Sequence, residues 1–252
     1  FLIRQTANQV GSTVVGKVIH NGPKDAYLSR VIGLDAGLPI SSHAVTLNRL
    51  CGSGLEAIIQ AAQQIQLGDV DAALAGGAES MSSSAYTLES NRWGQKMGNS
   101  IMQDELTSTL QDPWDNNPMG ITAENIADKY TISRDQQDAY TAQSHHKAAK
   151  AIAAGHFKQQ ILPIEIKSKS GSHIFDTDEH VRADTTTEKL ATLKPYFKKD
   201  GTVTAANSSG INDGAAMLVL MSEQKANEQG LKPLGRLVGY ARAGVDPILM
   251  GT

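Results

Sequence analysis

Cys51, the only cysteine in the chain, is the residue with the clearest chemical potential. It follows a β-favouring run, Ala44–Asn48, and begins the sequence Cys-Gly-Ser-Gly before a long apolar, helix-forming stretch. A cysteine at such a junction lies at the positive end of a helix, which favours the thiolate that attacks carbonyl carbons. Gly52 and Gly54 would let a substrate approach the backbone. The pattern predicts a nucleophile that accepts an acyl group, and the alternative is a small buried apolar residue.

Strands and helices alternate along the chain around Cys51. Strands are predicted at Ser12–His20, Ala44–Asn48 and Val70–Ala75, and helices at Tyr27–Gly37 and Leu55–Leu67. After residue 200 the pattern returns, with strands at Ala215–Met221 and Leu234–Ala241 and a helix at Ser222–Gln229. This alternation is typical of an α/β sheet, in which ligands gather at strand ends. Glycine-flanked turns lie at the ends of predicted strands, at Cys51–Gly54, Gly76–Ser82 and Ala205–Gly214, and none has the spacing of a phosphate-binding loop.

The stretch from about residue 83 to 200 lacks this strict alternation and is predicted to be an insertion. Helices are predicted at Ala123–Tyr130 and from Ser133 to Ala153, the second beginning with a capping box formed by Ser133 and Gln136. Strands are predicted near Ile161–Ile166 and Ile174–Asp176.

Composition narrows the class of protein. The 252 residues are 40% hydrophobic and 19% charged, as in soluble globular proteins. The net charge of −3 provides no basic field for nucleic acid, and no apolar run reaches membrane-spanning length. A single cysteine excludes an internal disulfide framework and indicates a reducing compartment, so we expect a cytoplasmic protein with neither nucleic acid nor membrane as partner. No metal site is predicted. The first and last residues resemble interrupted elements, so both ends are expected to be missing.

Five segments resemble, in order, motifs of the thiolase family. They are Val45–Leu55, Gly76–Ser82, Met119–Asn125, Gly201–Gly214 and Gly244–Gly251. The first resembles the nucleophile signature, the second a further glycine segment, and the third and fourth the entry to and return from the loop domain. The fifth resembles the opening of the C-terminal half. The sequence is most similar in character to acetyl-CoA acetyltransferases and β-ketothiolases.

The resemblance implies an α/β fold of the layered thiolase type. Two similar halves pack together in this family, and a loop domain is inserted in the first. Residues 1–223 would form the N-terminal domain, with the loop domain at about 83–200, and residues 231–252 would begin the C-terminal domain.

The resemblance also implies an acyltransferase with a thioester intermediate. Cys51 would take an acyl group from acyl-CoA, and a second acetyl-CoA would attack that thioester to give 3-ketoacyl-CoA, in a reversible reaction of fatty acid metabolism. Met119 matches a residue near the acyl pocket, Ser209 a serine that contacts the pantetheine arm, and Arg182 a basic residue near the nucleotide end of CoA. Coenzyme A thioesters would be substrates, with no permanently bound cofactor. A homo-oligomer, dimer or tetramer, is expected.

Three family motifs are absent from this sequence. These are a Gly-His-Pro segment with the histidine that activates the nucleophile, a Cys-x-Gly segment with an acid/base cysteine, and an Asn-Glu-Ala segment that binds a thioester oxygen. All three belong to the C-terminal half, beyond Thr252, so the isolated chain is expected to be inactive. The seven histidines present are expected to be solvated or locally hydrogen-bonded, and none is assigned a catalytic role: His20, His43, His145, His146, His156, His173 and His180.

Two alternative functions remain open. A ketoacyl-synthase-like condensing enzyme shares the fold and the nucleophilic cysteine, but it would use malonyl thioesters, and the long insertion argues against it. A catalytically inert, thiolase-like protein that binds CoA or lipid would not be acylated at Cys51.

Overall fold

The structure, a computed structural model, describes residues 7–169 and 171–252. The chain divides into two compact units. The first comprises Phe1–Leu110 and Ile211–Ala243, and the second Gln111–Gly210 and Gly244–Thr252. The sequence suggests a different division, with boundaries near residues 223 and 231. These boundaries separate the two halves of the family's fold, and they stay a prediction.

Strands and helices of the described residues are numbered in chain order. The strands are β1 (Ser12–Gly16), β2 (His43–Leu47), β3 (Ala72–Ser80), β4 (Tyr86–Thr87), β5 (Gln103–Asp104), β6 (Ile164–Ser168), β7 (Gly171–Phe175) and β8 (Asp213–Met221). The α-helices are α1 (Leu28–Asp35), α2 (Ser53–Leu67), α3 (Glu105–Thr109), α4 (Met119–Tyr130), α5 (Arg134–Ala153), α6 (Thr187–Ala191) and α7 (Glu223–Glu228). No described helix is both long and apolar enough to cross a membrane.

The first unit is built on a four-stranded sheet with the order β2–β1–β3–β8. Strand β1 pairs in parallel with β2 and β3, and β8 pairs antiparallel with β3. All five residues of β1 are buried, as expected for a central strand covered on both faces. Val14 packs in one cluster with small residues of α2 and β3, including Ala57 and Ala75. The α/β class predicted from the sequence is confirmed.

Glycines allow the N-terminus of α2 to approach the ends of the central strands. A Cβ atom on Gly16 would lie 2.5 Å from the carbonyl carbon of Ser53 and 2.8 Å from the nitrogen of Gly54. A Cβ atom on Gly77 would lie 3.4 Å from both the Gly16 oxygen and the Gly54 Cα. Backbone atoms of a helix cannot move aside as a flexible side chain does, so this approach depends above all on Gly16.

The second unit contains α4, α5, α6 and the antiparallel pair β6–β7. The predicted capping box is present: the Ser133 N–H donates to Gln136 Oε1 (2.8 Å) and the Gln136 N–H donates to Ser133 Oγ (3.2 Å). Helix α5 therefore begins where the sequence indicates.

Several sequence-based elements differ from the structure. Strand β1 ends at Gly16 rather than at His20, and β3 spans Ala72–Ser80, so most of the turn predicted at Gly76–Ser82 is strand. Helix α4 begins at Met119 rather than at Ala123, and its N-cap residue Pro118 has an extended backbone (ψ 148°) and supplies no side-chain hydrogen bond to the helix. The strand predicted at Leu234–Ala241 is wrong, because no described strand pairs with this segment. An extended run becomes a strand only when a neighbour accepts its backbone hydrogen bonds. In this segment Leu234 is 100% exposed, and Val238 is also exposed.

We expect Gly16→Ala to lower the free energy of unfolding by about 1–3 kcal/mol, because the added methyl group would overlap the backbone of α2. Gly54→Ala is the matched control. A Cβ there meets nothing within 4 Å, and alanine favours a helix by up to about 1 kcal/mol. Urea denaturation of both variants measures the difference. Equal stability of Gly16→Ala and the unmodified chain would show that the approach is not tight.

Candidate active site

Cys51 lies on an exposed turn between β2 and α2. Its side chain is free and accessible to solvent, which contradicts the alternative of a buried apolar residue. Leu50, just before it, has a left-handed backbone conformation (φ 48°), which is uncommon for a residue with a side chain. Gly52, just after it, is the N-cap residue of α2. The thiol is therefore presented at the positive end of a 15-residue helix, as the sequence predicts.

Side-chain hydrogen bonds hold this turn. Ser53 Oγ donates to the Leu50 carbonyl (2.6 Å) and accepts the Arg49 N–H (2.8 Å), so one hydroxyl closes the loop around Cys51. The Leu50 N–H donates to Asn48 Oδ1 (2.8 Å). These bonds offset the unfavourable conformation of Leu50, as is common where a nucleophile lies on a sharp strand-to-helix turn.

A buried carboxylate lies in the first turn of α2. Glu56 is 7% exposed and accepts hydrogen bonds from Arg242 Nε (2.9 Å) and Arg242 Nη2 (2.5 Å). Arg49 Nη1 lies 3.3 Å from the same carboxylate. These arginines, with Arg242 contributing most, hold the pKa of Glu56 below its ordinary value. The ion pair of Glu56 with Arg242 links α2, the helix that follows Cys51, to residues 231–243. No local pattern in the sequence indicates this contact.

The glycine-rich segment Gly76–Ser82, most of which lies within β3, is held by two further carboxylates. Glu79 accepts the Val18 N–H (2.9 Å) and forms an ion pair of 3.1 Å with Lys17, whose side chain is almost fully buried. Asp213 accepts hydrogen bonds from the backbone N–H (2.9 Å) and the hydroxyl of Ser82, which lower the pKa of this aspartate. Within the first unit, the structure thus connects two of the predicted motif segments.

Met119, Arg182 and Ser209 all lie in the second unit, and Cys51 lies in the first. Met119 is half-buried at the start of α4, and its carbonyl accepts the hydroxyl of Thr122 (2.7 Å). The loop before it is ordered by Asp112, which accepts three backbone N–H groups, foremost that of Asp115. These bonds lower the pKa of Asp112.

Ser209 is exposed in a loop that a buried glutamate anchors. Glu124 is 1% exposed, and its carboxylate accepts the N–H groups of Thr202 (2.9 Å) and Val203 (2.8 Å). Asn207 completes the anchor, since its Oδ1 accepts the Thr204 N–H at 2.7 Å. The position of Ser209 therefore depends on contacts from Glu124 in the segment Met119–Asn125, which the sequence identifies as a separate motif.

Arg182 lies near the Ser209 loop within this unit. A Cβ atom on Gly210 would overlap the ring of His180, so the segments that carry Arg182 and Ser209 are in contact. Met119 makes no hydrogen bond to either segment among the described residues. Across residues 7–169 and 171–252, no group of three or more His, Cys, Asp or Glu side chains could hold a metal ion.

Several known proteins are similar in sequence or in fold to this chain. The family model for the thiolase N-terminal domain matches residues 4–224. A β-ketothiolase of Cupriavidus necator (BktB) is 51% identical over 247 residues, covering 98% of this chain and 63% of the relative.

Two solved structures extend the comparison. An acetyl-CoA acetyltransferase of Bacillus anthracis has a TM-score of 0.93 at 48% identity, with 97% of this chain and 62% of that one covered. A human mitochondrial 3-ketoacyl-CoA thiolase in complex with CoA has a TM-score of 0.92 at 40% identity, with 98% and 62% covered.

The fold, with its exposed turn at Cys51, is that of an α/β protein of the layered thiolase type. The chain belongs to the thiolase family. It spans a little over three fifths of the length of the relatives that it matches.

We expect Arg242→Met to destabilise the chain at neutral pH, because Glu56 would lose its main hydrogen-bond donor. The Glu56 pKa is lowered in the folded state, so its stabilising contribution is present above the ordinary value of 4.5 and is lost as pH falls through the lowered value. The gap in stability between variant and unmodified chain should therefore narrow on acidification.

Arg236→Met is the matched control, since Arg236 is exposed in the same C-terminal stretch. Urea denaturation across a pH series provides the measurement. A gap that is independent of pH would contradict the role of the ionised Glu56.

Proposed function

We propose that the protein is a thiolase, which interconverts two acyl-CoA molecules with 3-ketoacyl-CoA and free CoA. The Cys51 thiolate attacks the thioester carbonyl of acyl-CoA, the CoA thiolate leaves and takes a proton, and a thioester on Cys51 remains. A second acetyl-CoA loses its α-proton, and the resulting carbanion attacks this thioester and releases the Cys51 thiolate. The reverse reaction is thiolysis. The exposed thiol on a strained turn at the N-terminus of α2 is the observation that carries the proposal.

The backbone around Cys51 supports the first of these steps. The N–H groups of Gly52 and Ser53 already donate to the carbonyls of Arg49 (3.1 Å) and Leu50 (3.0 Å), whereas other N–H groups at the start of a helix have no partner within it and can donate to an anion. The Cys51 N–H would donate to the oxyanion that forms when the thioester is attacked. Gly54 leaves open space, since a Cβ there would meet nothing within 4 Å.

Three further residues are assigned to the substrate. The guanidinium of Arg182 would pair with phosphate at the nucleotide end of CoA, because arginine binds phosphate through two parallel hydrogen bonds. Ser209 would contact the pantetheine arm, and Met119 would line the acyl pocket. CoA thioesters are the proposed substrates without a resident cofactor, and the human mitochondrial relative was solved with CoA.

The chain alone should perform only the acyl-accepting half of this reaction. Removal of the α-proton requires an acid/base, and the second cysteine to which the family resemblance assigns that role is not in this sequence. We propose further that the protein is cytoplasmic, acts in fatty acid metabolism and is a homodimer or homotetramer. Large exposed side chains such as Trp93 and Met97 are consistent with burial in an oligomer, and sedimentation velocity would measure its size.

Intact-protein mass spectrometry after incubation with acetyl-CoA tests the acyl acceptor. We expect a single acetyl adduct on the unmodified chain and none on Cys51→Ser, because a serine hydroxyl at this position lacks the acidity of a thiol. An adduct that persists in Cys51→Ser would assign acylation to another residue. A folded chain without any adduct would favour the inert CoA-binding alternative.

We expect Arg182→Ala to weaken binding of CoA by about tenfold, as the loss of a charge-assisted hydrogen bond to phosphate does. Binding of pantetheine, which carries no nucleotide, should not change. Isothermal titration calorimetry with both ligands gives the two affinities. If the variant loses affinity for pantetheine equally, Arg182 does not act on the nucleotide end.

A further inference from the structure

Two histidines without a role in the proposed reaction lie beside Arg182. The Arg182 N–H donates a hydrogen bond of 3.1 Å to His145 Nδ1, on helix α5. His145 in turn lies beside His180, with ring centroids 6.2 Å apart and an angle of 32° between the rings. Because Nδ1 accepts a hydrogen bond, it carries no proton, and the proton of the neutral ring is on Nε2.

The second histidine connects this group to the Ser209 loop. Gly210, directly after Ser209, lies so close to the His180 ring that a Cβ atom there would overlap it. The absence of a side chain at Gly210 is thus required for the contact. The backbone of Arg182, the two imidazole rings and the loop of Ser209 form a continuous series of contacts within the second unit.

The main chain of Arg182 is fixed on both sides, whereas its guanidinium is available. Its carbonyl accepts the hydroxyl of Thr185 (2.9 Å) and the Thr185 N–H (3.3 Å). Among the described residues the guanidinium makes no hydrogen bond or ion pair, and Arg182 is exposed to solvent. The nearby Asp184, which Arg182 influences electrostatically, is held by Lys189 at 2.7 Å. A fixed backbone with a free guanidinium suits phosphate binding, because a smaller loss of conformational entropy accompanies binding when the backbone is already ordered.

We infer that His145 is a positioning residue for CoA binding. It fixes the backbone of Arg182, and through its contact with His180 it holds Arg182 at a fixed position relative to Ser209. The inference rests on the proposed function, since it assumes that Arg182 binds the nucleotide end of CoA. It assigns a task to a side chain that does not itself touch the ligand.

Three substitutions in the full 252-residue chain test this role. His145→Leu removes the acceptor and keeps a side chain of similar bulk. His145→Asn retains an oxygen acceptor close to the position of Nδ1. His146→Leu is the matched control, because His146 is the exposed next residue on the same helix and makes no hydrogen bond within the described part of the chain. Calorimetric affinities for CoA and for pantetheine are measured for each variant and for Arg182→Ala.

We expect His145→Leu to weaken CoA binding by about fivefold to tenfold, with pantetheine affinity unchanged, and His145→Asn and His146→Leu to stay within about twofold of the unmodified chain. The double variant of His145→Leu with Arg182→Ala should bind CoA no more weakly than Arg182→Ala alone, since His145 acts through Arg182.

Normal CoA affinity of His145→Leu, with weakened binding by Arg182→Ala, would overturn the positioning role and leave the proposed function intact. Normal affinity of Arg182→Ala, or an unmodified chain that does not bind CoA, would overturn both. Weakened binding by His145→Leu that His145→Asn does not restore would assign the effect to packing and overturn the hydrogen-bond role. A loss of pantetheine affinity equal to the loss of CoA affinity would do the same.

Discussion

The structure of the first unit depends on the close contact between the N-terminus of α2 and the ends of the central parallel strands. Gly16 permits that contact, because any side chain there would overlap the backbone at Ser53 and Gly54. Once the helix is fixed in this place, the chain has only a short turn in which to pass from β2 into α2. Leu50 adopts its left-handed conformation in that turn, and the next residue, Cys51, is left exposed at the positive end of the helix.

Carboxylates that accept main-chain or arginine donors hold loops in place within each of the two units. In the first unit, Glu56 accepts a hydrogen bond from Arg242, and Asp213 accepts one from the backbone N–H of Ser82. In the second unit, Glu124 accepts hydrogen bonds from the backbone N–H groups of Thr202 and Val203. Glu56 and Glu124 are buried, and a buried carboxylate costs free energy unless it is paired in this way, so these two contacts fix the segments that they join. The residues assigned to the substrate lie on or next to loops that such contacts hold.

The sequence predicts what depends on local order. The spacing of apolar residues predicts α1 and α2, the capping box predicts the start of α5, and the glycine pattern predicts the turn at Cys51. It does not predict contacts between distant residues. Glu56 and Arg242 are 186 residues apart, so neither neighbourhood indicates the other. The wrong strand at Leu234–Ala241 has the same cause, because its apolar run has β character but a strand also needs a partner from elsewhere.

The central claim, that the fold activates Cys51 through the N-terminus of α2, can be measured directly because this chain has a single thiol. The rate of alkylation by iodoacetamide at neutral pH is compared between the folded chain and the chain unfolded in urea, with a short cysteine peptide correcting for the solvent. The account predicts that the folded chain reacts faster, by about tenfold, because the positive end of a helix stabilises negative charge on a nearby sulfur atom. A folded chain that reacts no faster than the unfolded one would contradict the account.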